Sequence, residues 1–206
     1  IIEKNDLIKN TKYIDKNELQ KIDKDNLRQS NDIIIRREDY NPSSLKEVCS
    51  SKKEKSLIVV LDQLTDQNNL GNIIRTCLLI GVNGIIIPEH SSAPITGSTA
   101  NTSAGAIEIL KFHISKNLNR SLEDLKKNGY WTYALDMKGK LINKNFIFDK
   151  KTVIILGNEG KGIRKNILNN SDFIISLPQD EINGIDSYNA ANSLAMTLFH
   201  YKVTIS

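Results

Sequence analysis

The chain has 206 residues, of which 39% are hydrophobic and 25% are charged, so it suits one domain, or one domain with part of a second. The net charge of +4 permits a polyanionic partner without requiring one. Two cysteines argue against a disulfide scaffold, three scattered histidines against a metal site, and the short apolar runs against a membrane span. We therefore expect a cytoplasmic protein with no metal and no membrane segment. Because the sequence begins with Ile1 rather than Met, we expect it to be part of a longer protein.

The first 55 residues differ in composition from the rest and contain few large apolar side chains. A β-branched run over Asp32–Arg36 predicts a strand, and we interpret residues 1–40 as the remnant of a small α/β domain. Residues 41–55 contain Pro42 and a cluster of charges. They are expected to form a linker, with one helical turn over Ser44–Cys49.

From residue 56 onward, apolar strand patterns alternate with helical patterns, which predicts a parallel sheet covered on both faces. Strands are predicted over Leu57–Leu61, Gly84–Ile87, Leu110–Ile114, Tyr130–Asp136, Thr152–Leu156 and Phe173–Leu177. Helices are predicted over Asn69–Leu79, Ser103–Ile109, Arg120–Asn128, Ile163–Leu168 and Ser187–Tyr201.

The first polar motif, residues 66–76, follows the first buried strand, at the edge where open α/β sheets bind ligands. Asn69 and Arg75 both lie near the start of the following helix and are candidates to project into one cleft. Arg75 is informative because only six residues are arginine. The alternative interpretation is structural, with Asp66 or Asn68 capping the helix and Arg75 exposed to solvent.

The second motif, Gly157–Gly162, follows another buried strand and contains three glycines. Its spacing, G-x-x-G-x-G, fits neither a dinucleotide fingerprint nor a P-loop. Glu159 in its middle disfavours phosphate and favours a nucleoside or a cationic ligand. We expect Gly160 to adopt a positive φ, which a valine would resist. The alternative is a structural turn before the next helix.

The third motif places Ser187, Asn189 and Asn192 at the entry to an otherwise apolar helix. Asp186 or Ser187 is expected to cap that helix, which leaves Asn189 over to line a site. The helix is apolar on more than one side. We therefore expect a homodimer held by this helix and by the helix over Asn69–Leu79. The contacts predicted on the last helix are Leu194, Leu198, Phe199 and Tyr201.

Taken in order, these motifs resemble the SpoU (TrmH) branch of the SPOUT RNA methyltransferases. The patterns are N-L-G-x-I-x-R-T, S-A-G-A, G-N-E-G-x-G, and I-x-x-P followed by S-x-N. The matching residues are Asn69, Leu70, Gly71, Ile73, Arg75, Thr76, Ser103, Ala104, Gly105, Ala106, Gly157, Asn158, Glu159, Gly160, Gly162, Ile175, Pro178, Ser187 and Asn189. Residues 1–40 are more loosely similar to the L30e-like RNA-binding domain that often precedes this catalytic domain.

The resemblance implies a Rossmann-like α/β sheet with a C-terminal trefoil knot over residues 56–206, preceded by a partial L30e-like segment. It also implies a homodimer that uses AdoMet to methylate a ribose 2′-hydroxyl in RNA, with rRNA preferred over tRNA. By motif position, the expected cofactor-binding residues are Gly157, Asn158, Gly160, Gly162, Leu177, Pro178, Tyr188 and Asn189. The expected catalytic residues are Arg75, Asn69, Glu159, Ser187 and Asn189. Because arginine stays protonated, Arg75 is expected to position the substrate rather than to act as a base.

Two other functions are weighed against this one. Tyr188 replaces the usual Leu of the family, and the stretch before it is about two residues longer than typical. These departures would suit a catalytically silent RNA-binding or ribosome-assembly module with the same fold. A nucleotide-binding oxidoreductase is disfavoured because the glycine spacing is wrong for that class.

Overall fold

The computed structural model describes residue 15 and residues 41–50, 54–180, 182–183 and 187–205. The chain divides into two units, Ile1–Tyr40 and Asn41–Ser206. The strand predicted over Asp32–Arg36 and the L30e-like segment lie outside the described residues.

The second unit begins with a short helix, α1, over Leu45–Cys49. Ser44 and Glu47 form a capping box, in which the Ser44 side chain accepts from the Glu47 N–H and the Glu47 carboxylate accepts from the Ser44 N–H. Val48 is fully buried, and the Ser43 N–H donates to the carbonyl of Phe112. These contacts attach residues 43–49 to the core of this unit.

Six parallel strands form one sheet in the order β3-β2-β1-β5-β4-β6, which confirms the predicted parallel sheet. Their bounds are β1 Ser56–Asp62, β2 Gly84–Pro88, β3 Phe112–Ser115, β4 Trp131–Leu141, β5 Lys151–Gly157 and β6 Phe173–Ser176. The two central strands, β1 and β5, are buried almost throughout, as their continuous apolar runs predict.

Helices and a 3₁₀ turn connect the strands. Their bounds are α2 Gln67–Ile80, α3 Gly97–Thr102, 3₁₀ Ala106–Glu108, α4 Leu118–Lys127, α5 Lys165–Asn169 and α6 Ala190–Ile205. The continuous helix predicted over Ser103–Ile109 is wrong, because Ala104 (φ 51°) and Gly105 (φ 78°) adopt left-handed conformations that interrupt it. Among the described residues, no helix has the length and apolar content needed to cross a membrane.

Apolar side chains on both faces of the sheet form the core. On one face, Leu118, Leu122 and Leu125 of α4 pack with alternate residues of the central strands, such as Ile58 and Val153. On the opposite face, buried residues of α2 and α6 cover the sheet. They are Leu70, Ile73, Ile74 and Cys77 of α2, and Ala190, Leu194, Leu198 and Tyr201 of α6.

Helices α2 and α6 lie side by side and run in the same direction. Asn69 near the start of α2 is bonded to Asn189 just before α6, and Lys202 near the end of α6 donates to the carbonyl of Ile80 at 3.2 Å. Both N-termini therefore point to one edge of the sheet, the edge where the strands end. Because peptide dipoles add along a helix, that edge carries two partial positive charges.

The structure corrects the residues expected at a dimer contact. Leu194, Leu198 and Tyr201 are buried within their own chain, because they form the sheet-facing side of α6. The exposed apolar residues of α6 are Met196, Phe199 and Val203, which follow helical spacing along its outer side. Leu79 on the neighbouring α2 is 77% exposed. We call these four residues the α2–α6 stripe.

Candidate functional site

Three of the sequence-predicted catalytic residues form one hydrogen-bonded cluster. The Asn69 Nδ2 donates to Oε1 of Glu159, and its Oδ1 accepts a hydrogen bond from Asn189 Nδ2 at 3.1 Å. Asn69 is thus bonded on both sides of its amide to residues 90 and 120 positions away. We call this the Asn69 cluster, and it joins the loop after β1, the loop after β5 and the entry to α6.

The start of α2 fixes the position of Asn69. Asp66 caps this helix, because its Oδ1 accepts from the backbone N–H of Asn69 at 2.7 Å. Of the two caps considered, Asp66 or Asn68, the structure confirms Asp66, and the helix ends at Gly81, which has a left-handed φ of 91°. The backbone and side chain of Asn69 are therefore both held.

Asn189, which we expected to line a site rather than to cap α6, is itself the cap of that helix. Its Oδ1 accepts from the backbone N–H of Ala191 at 2.9 Å, while its Nδ2 donates to Asn69. The expectation that Ser187 or Asp186 caps this helix is therefore corrected, because α6 begins only at Ala190.

Arg75 lies outside the Asn69 cluster. It is exposed, and within the described residues its side chain makes no hydrogen bond or ion pair. It lies six helical positions after Asn69, which corresponds to about 9 Å along the axis and about 120° around it. Arg75 instead shares the outer side of α2 with Asn72 and Leu79, so its guanidinium is free to contact another molecule.

Asn158 closes the loop over Gly157–Gly162. Its Oδ1 accepts from the backbone N–H groups of Gly160 (2.9 Å) and Lys161 (3.1 Å), and its Nδ2 donates to the carbonyl of Gln63 (3.1 Å). The backbones of Asn158 and Gly162 also exchange two hydrogen bonds. Asn158 therefore shapes the loop and ties it to the segment after β1.

The glycines of this loop have different structural roles. A Cβ at Gly157 would lie 2.2 Å from the carbonyl carbon of Gly162, so two backbone segments meet too closely for any side chain. The left-handed residue is Gly162, with a φ of 67°, which corrects the expectation for Gly160. Asn158 Oδ1, at 3.7 Å, would be the nearest atom to a Cβ at Gly160. A side chain there meets neither strain nor a steric clash from the chain itself.

A second link between the end of β1 and the segment after β5 was not predicted from the sequence. The fully buried carboxylate of Asp62, at the end of β1, accepts from Arg164 Nε at 2.8 Å and from its backbone N–H at 2.9 Å. Arg164 Nη2 lies 2.7 Å from the same carboxylate. The available signals were a charge ending an apolar strand and the rarity of arginine, but neither identifies a partner 102 residues away.

A small cleft, which we call the β4–β6 cleft, opens where β4, β5 and β6 end. Its volume is about 90 Å³, and its lining residues are Leu135, Asp136, Met137, Leu156, Ser176, Leu177, Gln179, Ser187, Tyr188 and Ser193. The Tyr188 hydroxyl donates to the carbonyl of Pro178 at 2.9 Å, which fixes the half-exposed ring. Of the expected site residues, Leu177, Ser187 and Tyr188 lie here, whereas Asn69, Glu159 and Asn189 form their own cluster.

One wall of the β4–β6 cleft comes from an irregularity in β4. Leu135 and Lys140 both pair with Ile175 of β6, so the residues between them leave the regular ladder. Asp136 and Met137 of this excursion line the cleft. A Cβ at Gly139 would lie 2.5 Å from the carbonyl carbon of Ile175, so the excursion passes tightly over β6.

Within the described residues, no group of three or more His, Cys, Asp or Glu side chains is arranged to hold a metal ion. The candidate site combines the Asn69 cluster, which has one carboxylate, a partly apolar cleft with one carboxylate, and two helix N-termini.

A family model described as the SpoU rRNA Methylase family matches residues 56–199, which include the whole sheet, the Asn69 cluster and the lining of the β4–β6 cleft. The chain belongs to this SpoU family. The matched region contains Asn69, Arg75, Glu159 and Asn189. The resemblance first read from the motifs is thereby confirmed.

The chain is also similar to individual known proteins, to one in sequence and to others in fold. An uncharacterized tRNA/rRNA methyltransferase of Borreliella burgdorferi is 40% identical over 151 residues, which are 73% of this chain and 65% of that protein. The crystal structure of the SpoU methyltransferase AviRb from Streptomyces viridochromogenes, in complex with AdoMet, has a TM-score of 0.70 and 22% identity. That match covers 78% of this chain and 61% of AviRb. This SpoU chain thus spans about two thirds of the length of the curated relative.

A third similar protein is matched over nearly its whole length. A structure concerned with 2-OH methylation of C/U34 on tRNA has a TM-score of 0.65 and 16% identity, and the match covers 74% of this chain and 98% of that protein. At this identity the match shows the fold alone. It means that nearly all of that chain shares the fold seen here.

The Asp62–Arg164 pair provides a test of how the glycine loop is held. Arg164→Met should leave the buried carboxylate without its charge partner and destabilise the SpoU unit by about 3 kcal/mol, the low end for a broken buried pair because Arg164 is partly exposed. Urea unfolding followed by circular dichroism measures this change. Lys165→Met, one residue further along and exposed, is the control and should shift stability by less than about 0.5 kcal/mol. Equal effects of the two variants would contradict a role for the pair.

Proposed function

We propose that this chain carries the catalytic unit of an AdoMet-dependent methyltransferase that acts on a ribose 2′-hydroxyl of RNA. The single observation that supports this most is the Asn69 cluster, because it gathers three motif residues beside the β4–β6 cleft. Membership of the SpoU family supports the same reaction class. The printed names of the relatives refer to tRNA and rRNA methyltransferases.

The β4–β6 cleft has the chemistry that an adenosine-containing cofactor needs. Leu135, Leu156 and Leu177 provide apolar contact for a base, Tyr188 provides an aromatic face, and Asp136 provides an acceptor for hydroxyl groups. Its volume of about 90 Å³ is below the roughly 300–1,000 Å³ of drug-sized ligand sites, so part of the cofactor would lie over the open mouth. AdoMet supplies a methyl group that its sulfonium centre activates.

The chain then has to orient the ribose 2′-oxygen and accept its proton as the oxygen takes the methyl group. We assign proton uptake to the carboxylate of Glu159, which Asn69 holds in place. Asn189 and Ser187 flank this position at the entry to α6. Arg75 supplies a planar, permanently charged fork for the phosphate and the 2′-oxygen.

We further propose that the active form is a homodimer, formed through the α2–α6 stripe. Four exposed apolar residues there share one surface of two adjacent helices. Arg75 lies on the same outer side of α2 as Leu79, away from its own Asn69 cluster. A second copy seated on this surface would bring Arg75 close to the site of the partner, a role that suits a guanidinium with no hydrogen bond or ion pair among the described residues.

A trefoil knot also belongs to the proposal. After β6, at the edge of the sheet, the chain returns to Asn189 beside α2, so it crosses the ends of β4 and β5. On this path it passes the β4 excursion, where the Ile142 N–H donates to the carbonyl of Ser176 at 2.9 Å. We infer that the returning segment threads through a loop here, as the SpoU family resemblance implies.

The RNA that we propose as substrate is rRNA, in line with the description of the family. A catalytically silent RNA-binding module is the alternative, and its supporting observation is Tyr188, where the family pattern has Leu. Tyr188 is held by Pro178 at the wall of the β4–β6 cleft and leaves the cleft open, so we favour the enzyme.

Arg75→Lys tests the proposed reaction. The variant should fold and bind AdoMet like the wild type, because Arg75 is exposed and its side chain makes no hydrogen bond or ion pair within the described residues. Methyl transfer should fall by about 10²–10³-fold, since lysine cannot reproduce a two-point contact made in the transition state. Single-turnover transfer of a labelled methyl group to bulk rRNA measures the effect, with bulk tRNA as a parallel substrate. Activity within about threefold of the wild type would remove Arg75 from the mechanism.

Phe199→Asp tests the proposed dimer. A charge in the middle of the α2–α6 stripe should convert the dimer to a monomer at micromolar concentration, because it would be buried without a partner. Light scattering measures the mass. Ile109→Asp, at an exposed apolar residue outside the stripe, is the matched control and should remain dimeric. A wild-type protein of monomeric mass would overturn this part of the proposal.

A further inference from the structure

A second and larger cleft lies on the other half of the same sheet edge. We call it the β2–β3 cleft, and its volume is about 240 Å³. Its lining residues are Pro88, Glu89, His90, Ser91, Ser115, Lys116, Asn117, Leu118, Asn119, Arg164, Asn166 and Ile167. None of the residues singled out as catalytic or cofactor-binding lines it.

The strand order places the Asn69 cluster between the two clefts along this edge of the sheet. In the order β3-β2-β1-β5-β4-β6, the β4–β6 cleft occupies one end of the carboxyl edge and the β2–β3 cleft occupies the other. The ends of β1 and β5, which lead into Asn69 and Glu159, lie between them. A strand of RNA with its target ribose at the Asn69 cluster therefore has the β2–β3 cleft on the side away from the cofactor.

Arg164 connects the two regions physically. It follows Glu159 by five residues, and Asp62 at the end of β1 holds its guanidinium through Nε and Nη2. The same side chain forms part of the wall of the β2–β3 cleft. One side chain, Arg164, thus belongs both to the ion pair at the end of β1 and to the wall of the β2–β3 cleft.

Several polar groups of the cleft have no hydrogen-bond or ion-pair partner among the described residues. In the described part of the chain, the side chains of Lys116 and Asn166 are exposed and make no hydrogen bond or ion pair. Asn117 uses its Oδ1 to cap α4, which leaves its Nδ2 as a donor. Unused amide and ammonium groups in a concave site of this size are suited to a polar ligand with many acceptors.

The charged residues of the β2–β3 cleft favour a nucleotide over a free phosphate as its ligand. Asp62 already compensates Arg164, so the charges that remain among the lining Lys, Arg, Asp and Glu residues are the ammonium of Lys116 and the carboxylate of Glu89. A carboxylate repels phosphate but accepts hydrogen bonds from base amino groups. Single-stranded RNA presents both a phosphate for Lys116 and an accessible base edge for the amides.

We propose that the β2–β3 cleft binds an unpaired nucleotide of the RNA that adjoins the methylated ribose. This inference rests on the proposed function for the nature of the substrate. Lys116 contacts the backbone phosphate, and Asn166 with Asn117 contacts the base. The cleft would thus act as a second point of attachment that sets which ribose reaches the Asn69 cluster.

The test compares two double variants in the full chain. Lys116→Ala with Asn166→Ala removes two of the polar groups proposed to contact RNA, and Lys165→Ala with Asn169→Ala removes the same residue types from exposed positions outside the lining of the cleft. The probe is a fluorescein-labelled, single-stranded RNA 12-mer of mixed sequence, titrated by anisotropy without cofactor. The cleft variant should bind about tenfold more weakly, and the control less than about twofold. AdoMet affinity, measured separately by calorimetry, should be the same for both.

Equal losses in the two variants, or no loss in either, would overturn the cleft as an RNA site. If the wild type binds AdoMet and transfers methyl groups while the cleft variant binds RNA normally, the cleft proposal fails and the proposed function stands. If the wild type takes up no AdoMet but the cleft variant still loses RNA affinity, the cleft proposal stands and the proposed reaction fails.

Discussion

The amide of Asn69 is the interaction on which the arrangement of this site depends. It has two ends of opposite character, and the protein uses both, because Nδ2 donates to Glu159 while Oδ1 accepts from Asn189. An aspartate or a leucine at this position would lose at least one of these bonds. Three segments that are far apart in sequence are therefore oriented by one side chain, at the edge where α2 and α6 both begin.

Two further contacts also hold the glycine loop in place, so its position does not depend on the Asn69 side chain alone. Asp62 binds Arg164, and Asn158 binds the carbonyl of Gln63, so the glycine loop is attached to the end of β1 at two further points. Each link joins the segments after β1 and β5, which are neighbouring strands in the centre of the sheet. A rigid pair of strands thus supports a loop whose own conformation requires glycine at residue 162.

Local features of the sequence predicted most of the fold, whereas contacts between distant residues escaped prediction. The cap at Asp66 and the end of α2 at Gly81 follow from short-range hydrogen bonding and glycine conformation. The predicted helix over Ser103–Ile109 failed because its apolar spacing gave no sign of two left-handed residues. The Asp62–Arg164 pair needs knowledge of which strands are adjacent. Likewise, the motifs identified Asn69, Glu159 and Asn189, but only the fold shows that they touch.

The most direct measurement of the central claim is the position of the methyl group in RNA that the purified chain has modified. Nuclease digestion and mass spectrometry of rRNA incubated with AdoMet should yield a 2′-O-methylnucleoside for the wild type. Asn69→Asp, which keeps the shape of the side chain but replaces its N–H donors with a second carboxylate facing Glu159, should yield almost none. A methyl group on a base, or an equal yield from the Asn69→Asp variant, would contradict the account.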